Sequence, residues 1–245
     1  MKPSDLKAPF AWNSRRVLIE DRIFYVPTRC ETYEDFSFPA WSDTALFDND
    51  NPIQIEYCSG NGGWITAKAQ ENPHINWIAV EKKYTRVRKI WSKINNFKLK
   101  NLLAVCGEAF NATWRYLPDA SFTNAYINFP DPWPKTRHAK NRLIHPAFVN
   151  EIWRVLKPEA TFTLVTDDPD YSKRMIQAMA RHPGFASSHP DPFYITELPH
   201  YGTSSFELLW REMGRTIRFH QFQKVDCDAS LLRAETEKVT KFKKF

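Results

Sequence analysis

The stretch IEYCSGNGGWI, residues 55–65, decides the fold. Its first residues suit a buried strand, its middle supplies Gly60, Gly62 and Gly63, and Trp64 opens a segment that can be helical. A strand that passes through a glycine turn into a helix begins a βα unit, and glycine there lets backbone approach a ligand with no Cβ in the way. The turn is not the dinucleotide fingerprint. Cys58 stands where a tight turn prefers glycine, and no Gly-Lys-Ser or Gly-Lys-Thr follows to cradle phosphate.

Outward from this stretch, short apolar runs alternate with segments that can be helical, the pattern of a parallel sheet covered by helices. Strands are predicted over 53–56, 77–80, 102–106, 125–129 and 162–165, and helices over 64–70, 83–95, 144–156 and 171–180. Ile144, Phe148, Ile152 and Val155 recur at helical spacing, and Lys157-Pro158 should end that helix. The runs 206–210 and 217–225 alternate enough to supply one or two last strands. The first fifty residues are irregular, with Phe10, Trp12, Phe24, Tyr25, Phe36, Phe38 and Trp41 among prolines and charges, and read as a cover over the core or over the substrate. Residues 1–245 are taken as a single domain.

With 245 residues, 42% of them hydrophobic, the chain can bury one full core. No apolar run is long enough to span a bilayer and the start lacks a leader pattern, so a cytoplasmic protein with no membrane partner is expected. Cys30, Cys58, Cys106 and Cys227 lie far apart without zinc-ligand spacing, so free thiols and no metal are expected. The formal charge of +6 favours a polyanionic partner.

Three acids fall at strand ends. Glu81 closes the second strand, where an acid can accept from both ribose hydroxyls; Glu108 follows the third, within reach of an adenine edge; Glu56 ends the first, where it can face an amino group. Such a cluster suits a ligand carrying a sulfonium and an ammonium, and would repel a pyrophosphate. The same acids are also compatible with plain surface positions beside a closed turn.

After the fourth strand comes INFPDPWPKTRHAKNRL, residues 127–143. Pro130, Pro132 and Pro134 restrict the backbone, so Asp131 and Trp133 can be held in a preformed loop, with Lys135, Arg137, His138, Lys140 and Arg142 following as a cationic strip. A carboxylate and a flat ring beside cations that hold phosphate fit a nucleic-acid substrate. A packed tryptophan and a wetted basic face are the plainer reading. Lys82, Lys83, Arg86, Arg88, Lys89 and Lys93 either extend the cationic surface or form a solvated helix face, and Lys241, Lys243 and Lys244 pose the same choice at the tail.

These motifs resemble the bacterial tRNA (guanine-N7)-methyltransferase family, which methylates guanine 46 of the variable loop. The resemblance runs from about Phe36 to Phe222 and rests on FPDPWPKTRHAKNRL, GNGGWI, IAVE, GEAF and TDDPDY. It implies a Rossmann-like class I methyltransferase fold, a seven-stranded, mostly parallel sheet with helices on both faces. It also implies S-adenosyl-L-methionine as cofactor, held by Glu56, Gly60, Gly62, Glu81, Glu108 and Asp131, with Asp131 at the catalytic centre. For the tRNA it implies Lys135, Arg137, His138, Asp167, Ser204, Phe206 and Glu207.

Guanine N7 carries a lone pair and no proton, so its methylation needs alignment and charge compensation rather than a general base. The chain departs from the family at Cys58 (usually glycine), Glu108 (aspartate), Ser204 (threonine) and Ala160 (glycine). Two alternatives stay open: a methyltransferase acting on another RNA base or exocyclic amine, and an inactive RNA-binding module of the same fold. Monomer and homodimer are equally compatible with the sequence.

Overall fold

A computed structural model of the chain describes residues 1–30, 33–133, 137 and 142–228. By contact density the chain divides into two compact units, Met1–Leu117 with Gly202–Ser205, and Pro118–Tyr201 with Phe206–Phe245.

In the first unit a hairpin of β1 (Leu18–Glu20) and β2 (Ile23–Val26) precedes the glycine stretch, and its two-residue turn places Asp21 at φ 49° and Arg22 at φ 64°. Both belong to the left-handed region that an Asn-Gly turn occupies more easily. The Arg22 guanidinium fixes the turn by donating to the carbonyls of Leu46, Lys100 and Leu102. Then follow β3 (Ile53–Tyr57), α1 (Gly63–Glu71), β4 (Asn76–Glu81), α2 (Tyr84–Asn96), β5 (Leu102–Gly107) and α3 (Ala109–Tyr116). The strands order β1-β2-β5-β4-β3, parallel except for β1. Every residue of β3 and β4 is buried, the mark of a sheet covered on both faces.

Part of the N-terminal segment packs into the core of the first unit. Phe24 is fully buried, and its ring meets Phe36, Phe38 and Tyr116 at centroid distances of 5.4, 5.3 and 5.4 Å. Burying such a ring contributes about 2–3 kcal/mol. The Tyr116 hydroxyl donates to the Tyr33 carbonyl at 2.7 Å, and the Arg115 guanidinium lies 4.1 Å above the Tyr33 ring, so residues from 33 onward are fastened to α3.

The second unit holds β6 (Phe122–Asn128), α4 (Pro146–Val155), β7 (Leu156–Thr166), α5 (Pro169–Ala180), β8 (Phe185–Ser187), most of α6 (Ser205–Glu212), and β9 (Arg218–Lys224). Its strand order is β6-β7-β9-β8, with β6 and β7 parallel and β9 antiparallel to both neighbours. Both α4 and α5 pack on β7.

The expected α/β class and mostly parallel sheet are present. Nine strands form among the described residues rather than seven: the N-terminal hairpin and β8 are added, and one expected strand is a helix. The run 206–210, expected as a strand, is the helix α6: its Leu, Glu and Arg are strong helix formers, it holds no β-branched residue, and its apolar side chains Phe206, Leu208 and Leu209 are exposed. Strand β7 begins at Leu156, directly after α4, and a bulge opposite Phe122–Asn124 absorbs Lys157, Pro158 and Glu159. Helix α3 and strand β8 were not anticipated. No helix among the described residues is long and apolar enough to cross a membrane.

Candidate functional site

Parallel pairing brings the carboxyl ends of β3, β4 and β5 side by side, with Glu56 opposite Ala79 and Glu81 opposite Cys106. Glu56 and Glu81 lie in the last two positions of their strands and Glu108 directly follows β5. Three carboxylates therefore occupy one edge of the first unit, as the sequence predicts. Glu56 and Glu81 are buried, while Glu108 is half-buried.

Glu81 does the most local work. One carboxylate oxygen accepts the Gly60 N–H at 3.0 Å, the other accepts the Lys83 N–H at 2.8 Å, and Arg86 stands 3.6 Å away. It thus ties the glycine turn to the start of α2. The turn also holds itself, since the Ser59 hydroxyl donates to the Glu56 carbonyl at 2.9 Å and the Gly62 N–H to the Ser59 carbonyl at 2.8 Å. Cys106 feels the same acid: burial first, then the charge of Glu81, pushes its thiol up to about 12, which makes it an inert thiol.

Gly62 sits at φ 69°, and a Cβ there would meet Ile90 Cγ1 at 2.7 Å, so both conformation and space demand glycine. Cys58, by contrast, adopts φ 60° with a side chain, and is exposed. Cys58 thus carries backbone strain that a glycine would avoid.

Glu108 is the N-cap of α3, accepting the N–H groups of Phe110 at 3.2 Å and Asn111 at 2.8 Å. The late segment returns to this edge within the same unit: a Cβ on Gly63 would lie 3.7 Å from the Ser205 hydroxyl, and the neighbouring Ser204 is buried.

In the second unit the proline loop leaves β6 at Asn128, whose side-chain oxygen accepts the Tyr201 hydroxyl at 2.7 Å. Phe129 at φ 51° and Trp133 at φ 43° bracket Pro130, Asp131 and Pro132. Bulky side chains in the left-handed region are costly, about 1–3 kcal/mol each, and persist where surroundings over-determine them. Here Phe129 N–H donates to the Val165 carbonyl at 2.9 Å, and Arg142 donates to the Trp133 carbonyl at 2.8 Å. Arg142, read as part of the cationic strip, is thus engaged in holding the loop. Asp131 and Arg137 are exposed; Lys135 and His138 lie outside the described residues.

Asp167 follows β7 with a carboxylate 12% exposed and paired with Arg215. Glu207 is the buried residue of α6 and pairs with Arg211 at 3.0 Å, while Phe206 is exposed with its ring 6.3 Å from Phe129. The arginine partners escaped the sequence reading. The Glu207–Arg211 pair, one helical turn apart, was hidden because the run was expected as a strand, and the pairing of Asp167 with Arg215, 48 residues apart, depends on tertiary placement.

A family model described as a putative methyltransferase matches residues 50–219. Glu56, Glu81 and Glu108 fall inside that match. A tRNA (guanine-N(7)-)-methyltransferase of Chlamydia muridarum is 48% identical over 91% of this chain and 98% of its own, and the one from Chlamydia felis is 46% identical over the same shares. The chain belongs to the tRNA (guanine-N7)-methyltransferase family. A Staphylococcus aureus protein of the same description is 36% identical over 56% of this chain and 64% of its own. Among solved structures, the 16S rRNA methyltransferase KamB superposes with a TM-score of 0.55 at 15% identity, over 78% of this chain and 96% of that one. An antibiotic-related methyltransferase gives a TM-score of 0.53 at 16% identity, over 86% of this chain and all of that one. These two likenesses establish the Rossmann-like methyltransferase fold. Membership in the tRNA (guanine-N7)-methyltransferase family comes from the sequence matches.

Proposed function

We propose that this enzyme transfers a methyl group from S-adenosyl-L-methionine to N7 of guanine 46 in the variable loop of tRNA, in the cytoplasm. The observation that carries this reading is the set of three carboxylates, Glu56, Glu81 and Glu108, on one edge of the parallel strands beside a glycine turn that admits no Cβ at Gly62. That set of anionic acceptors fits a cationic nucleoside, and the cofactor when bound supplies an electrophilic methyl on a sulfonium with a neutral leaving group. Glu56 would take the ammonium of its amino-acid part, Glu81 would offer its remaining lone pairs to the ribose hydroxyls while it clamps the turn, and Glu108 would accept from the adenine edge beside its capping bonds. Gly60 and Gly62 give the backbone its close approach.

On the substrate side, Asp131 sits on a backbone braced by Arg142 and by strained aromatics at both ends. It accepts from a donor edge of guanine and offsets the positive charge that develops on the imidazole ring as N7 is alkylated. No proton has to be removed from N7. Asp167, Ser204, Phe206 and Glu207 orient the base, while Lys135, Arg137 and His138 hold phosphate oxygens.

The test is incubation of the purified enzyme with unmodified tRNA and labelled methyl donor, with mapping of the product nucleotide. Asp131→Asn should lower kcat by about 10²-fold or more while methyl-donor affinity stays within a few-fold, and Glu81→Ala should weaken that affinity. An Asp131→Asn enzyme with undiminished turnover would remove the role given to Asp131, and methylation at an exocyclic amine would replace the reading altogether.

A further inference from the structure

From Lys82 to Gly107 the sequence holds eight lysines and arginines and no aspartate or glutamate. Helix α2 arranges three of them as a stripe, with the exposed Lys82 just ahead of its N-cap. Arg86, Lys89 and Lys93 follow one another at spacings of three and four residues, which puts them on one side, while Val87, Ile90, Trp91 and Ile94 are buried on the other. Lys82, Arg86 and Lys89 are exposed and Lys93 half-buried.

Two features make this stripe unfavourable as mere helix surface. Like charges at those spacings repel, and burial together with the neighbouring Lys89 draws the ammonium of Lys93 below its ordinary value. The first turn of α2, the positive end of the helix dipole, contains no acid, although Arg86 stands in it and Lys83 is the N-cap. Among the described residues the stripe's ion pair is that of Arg86 with Glu81, at 3.6 Å. Lys93 Nζ meanwhile donates to the Asn61 carbonyl at 2.8 Å, so the stripe borders the glycine turn.

We propose that this face of α2 is a further RNA-binding surface, which holds the phosphodiester backbone of the tRNA whose guanine is methylated. It rests on the function proposed above. From Arg86 to Lys93 the stripe runs about 10 Å along the helix, and Lys82 extends the cationic surface past the N-cap, which is long enough to meet more than one phosphate of a strand. Its contacts carry no sequence information; they fix where the RNA lies relative to the methyl-donor seat.

The test uses Lys82→Glu/Lys89→Glu and the neutral Lys82→Gln/Lys89→Gln, both sparing Arg86 and Lys93. Lys89→Glu places an acid four residues ahead of Lys93, a favourable helix pair, so the fold is not put at risk. Binding of full-length unmodified tRNA is measured by fluorescence anisotropy across a salt series, alongside kcat, KM and methyl-donor affinity. For two lost phosphate contacts the slope of log K against log salt should shrink by about 1.4–1.8. The KM for tRNA should rise about tenfold or more in the charge-reversed enzyme, with kcat and methyl-donor affinity unchanged. If the wild-type enzyme methylates tRNA and the variants match it in slope and KM, the α2 surface is refuted alone. If the wild-type enzyme leaves tRNA guanine N7 unmodified, the underlying function falls and the surface with it.

Discussion

Replacing Gly62 by alanine tests the packing that shapes the proposed cofactor seat. Gly62 has φ 69°, and forcing a residue with a Cβ into the left-handed region costs about 1–2 kcal/mol. The new methyl would also stand 2.7 Å from Cγ1 of Ile90, a fully buried side chain on α2, and overpacking of a set core costs about 1–3 kcal/mol. Against these, the loss of glycine's freedom in the unfolded chain returns about 0.4–1 kcal/mol, leaving a net loss of roughly 1–4.5 kcal/mol. Denaturant unfolding of the cofactor-free protein measures it. The steric part is separable, because Ile90→Ala removes the offending atom at its own cost of about 2–5 kcal/mol. The double variant should then be less destabilised than the sum of the singles by about 1–3 kcal/mol, leaving mainly the conformational cost of the alanine. Additivity within about 0.5 kcal/mol would show that the close approach of α2 is not what demands glycine, and the argument from packing would fail.

Glu108 has two roles that substitutions can separate. Glu108→Ser keeps an N-cap oxygen and should hold stability within about 0.5 kcal/mol, whereas Glu108→Ala should lose about 1 kcal/mol; both should weaken methyl-donor binding if the longer acid reaches adenine, and unchanged binding in the serine variant would leave Glu108 a cap alone. The buried histidines predict acid sensitivity. Burial holds His182 and His220 down to about 4, from the ordinary 6.5, so the unfolded chain takes up protons between those values while the native one does not. Stability is therefore full above pH 6.5 and falls as pH drops toward 4, by up to roughly 3 kcal/mol per histidine. His220→Gln, which can still reach the Ser172 hydroxyl and the Phe193 carbonyl, should flatten that fall in urea titrations run from pH 7 to 4; an unaltered pH slope would exclude His220 as a source.

The elements read from sequence are those whose burial the residue pattern encodes. In β3 and β4 every side chain is buried, so the apolar run and the strand coincide. Helix α6 was misread for the converse reason: Phe206, Leu208 and Leu209 face outward and Glu207 inward, which inverts the rule linking apolar residues to the core. The hairpin of β1 and β2 was invisible because Asp21-Arg22 lacks the glycine that announces such a turn, and distant carbonyls hold Arg22 in place. At the site, the strand-end acids were legible because a short strand fixes its carboxyl end to within a residue: Glu81 closes β4, and Glu56 stands one before the end of β3. The ties made by Arg142 and Arg215 depend on tertiary placement, and that of Arg211 follows from helical spacing only where the run is helical rather than the expected strand.

The outermost strands have a further consequence. In the first unit β1 lies beyond β2 and is three residues long, ending in Glu20; in the second, β8 lies beyond β9 and is also three residues long. Such stubs offer a neighbouring molecule few backbone groups to zip onto, and a carboxylate on the rim discourages even those. A self-association of this enzyme would accordingly be built from helix faces and loops, and crowding the solution should not draw the sheets into fibres.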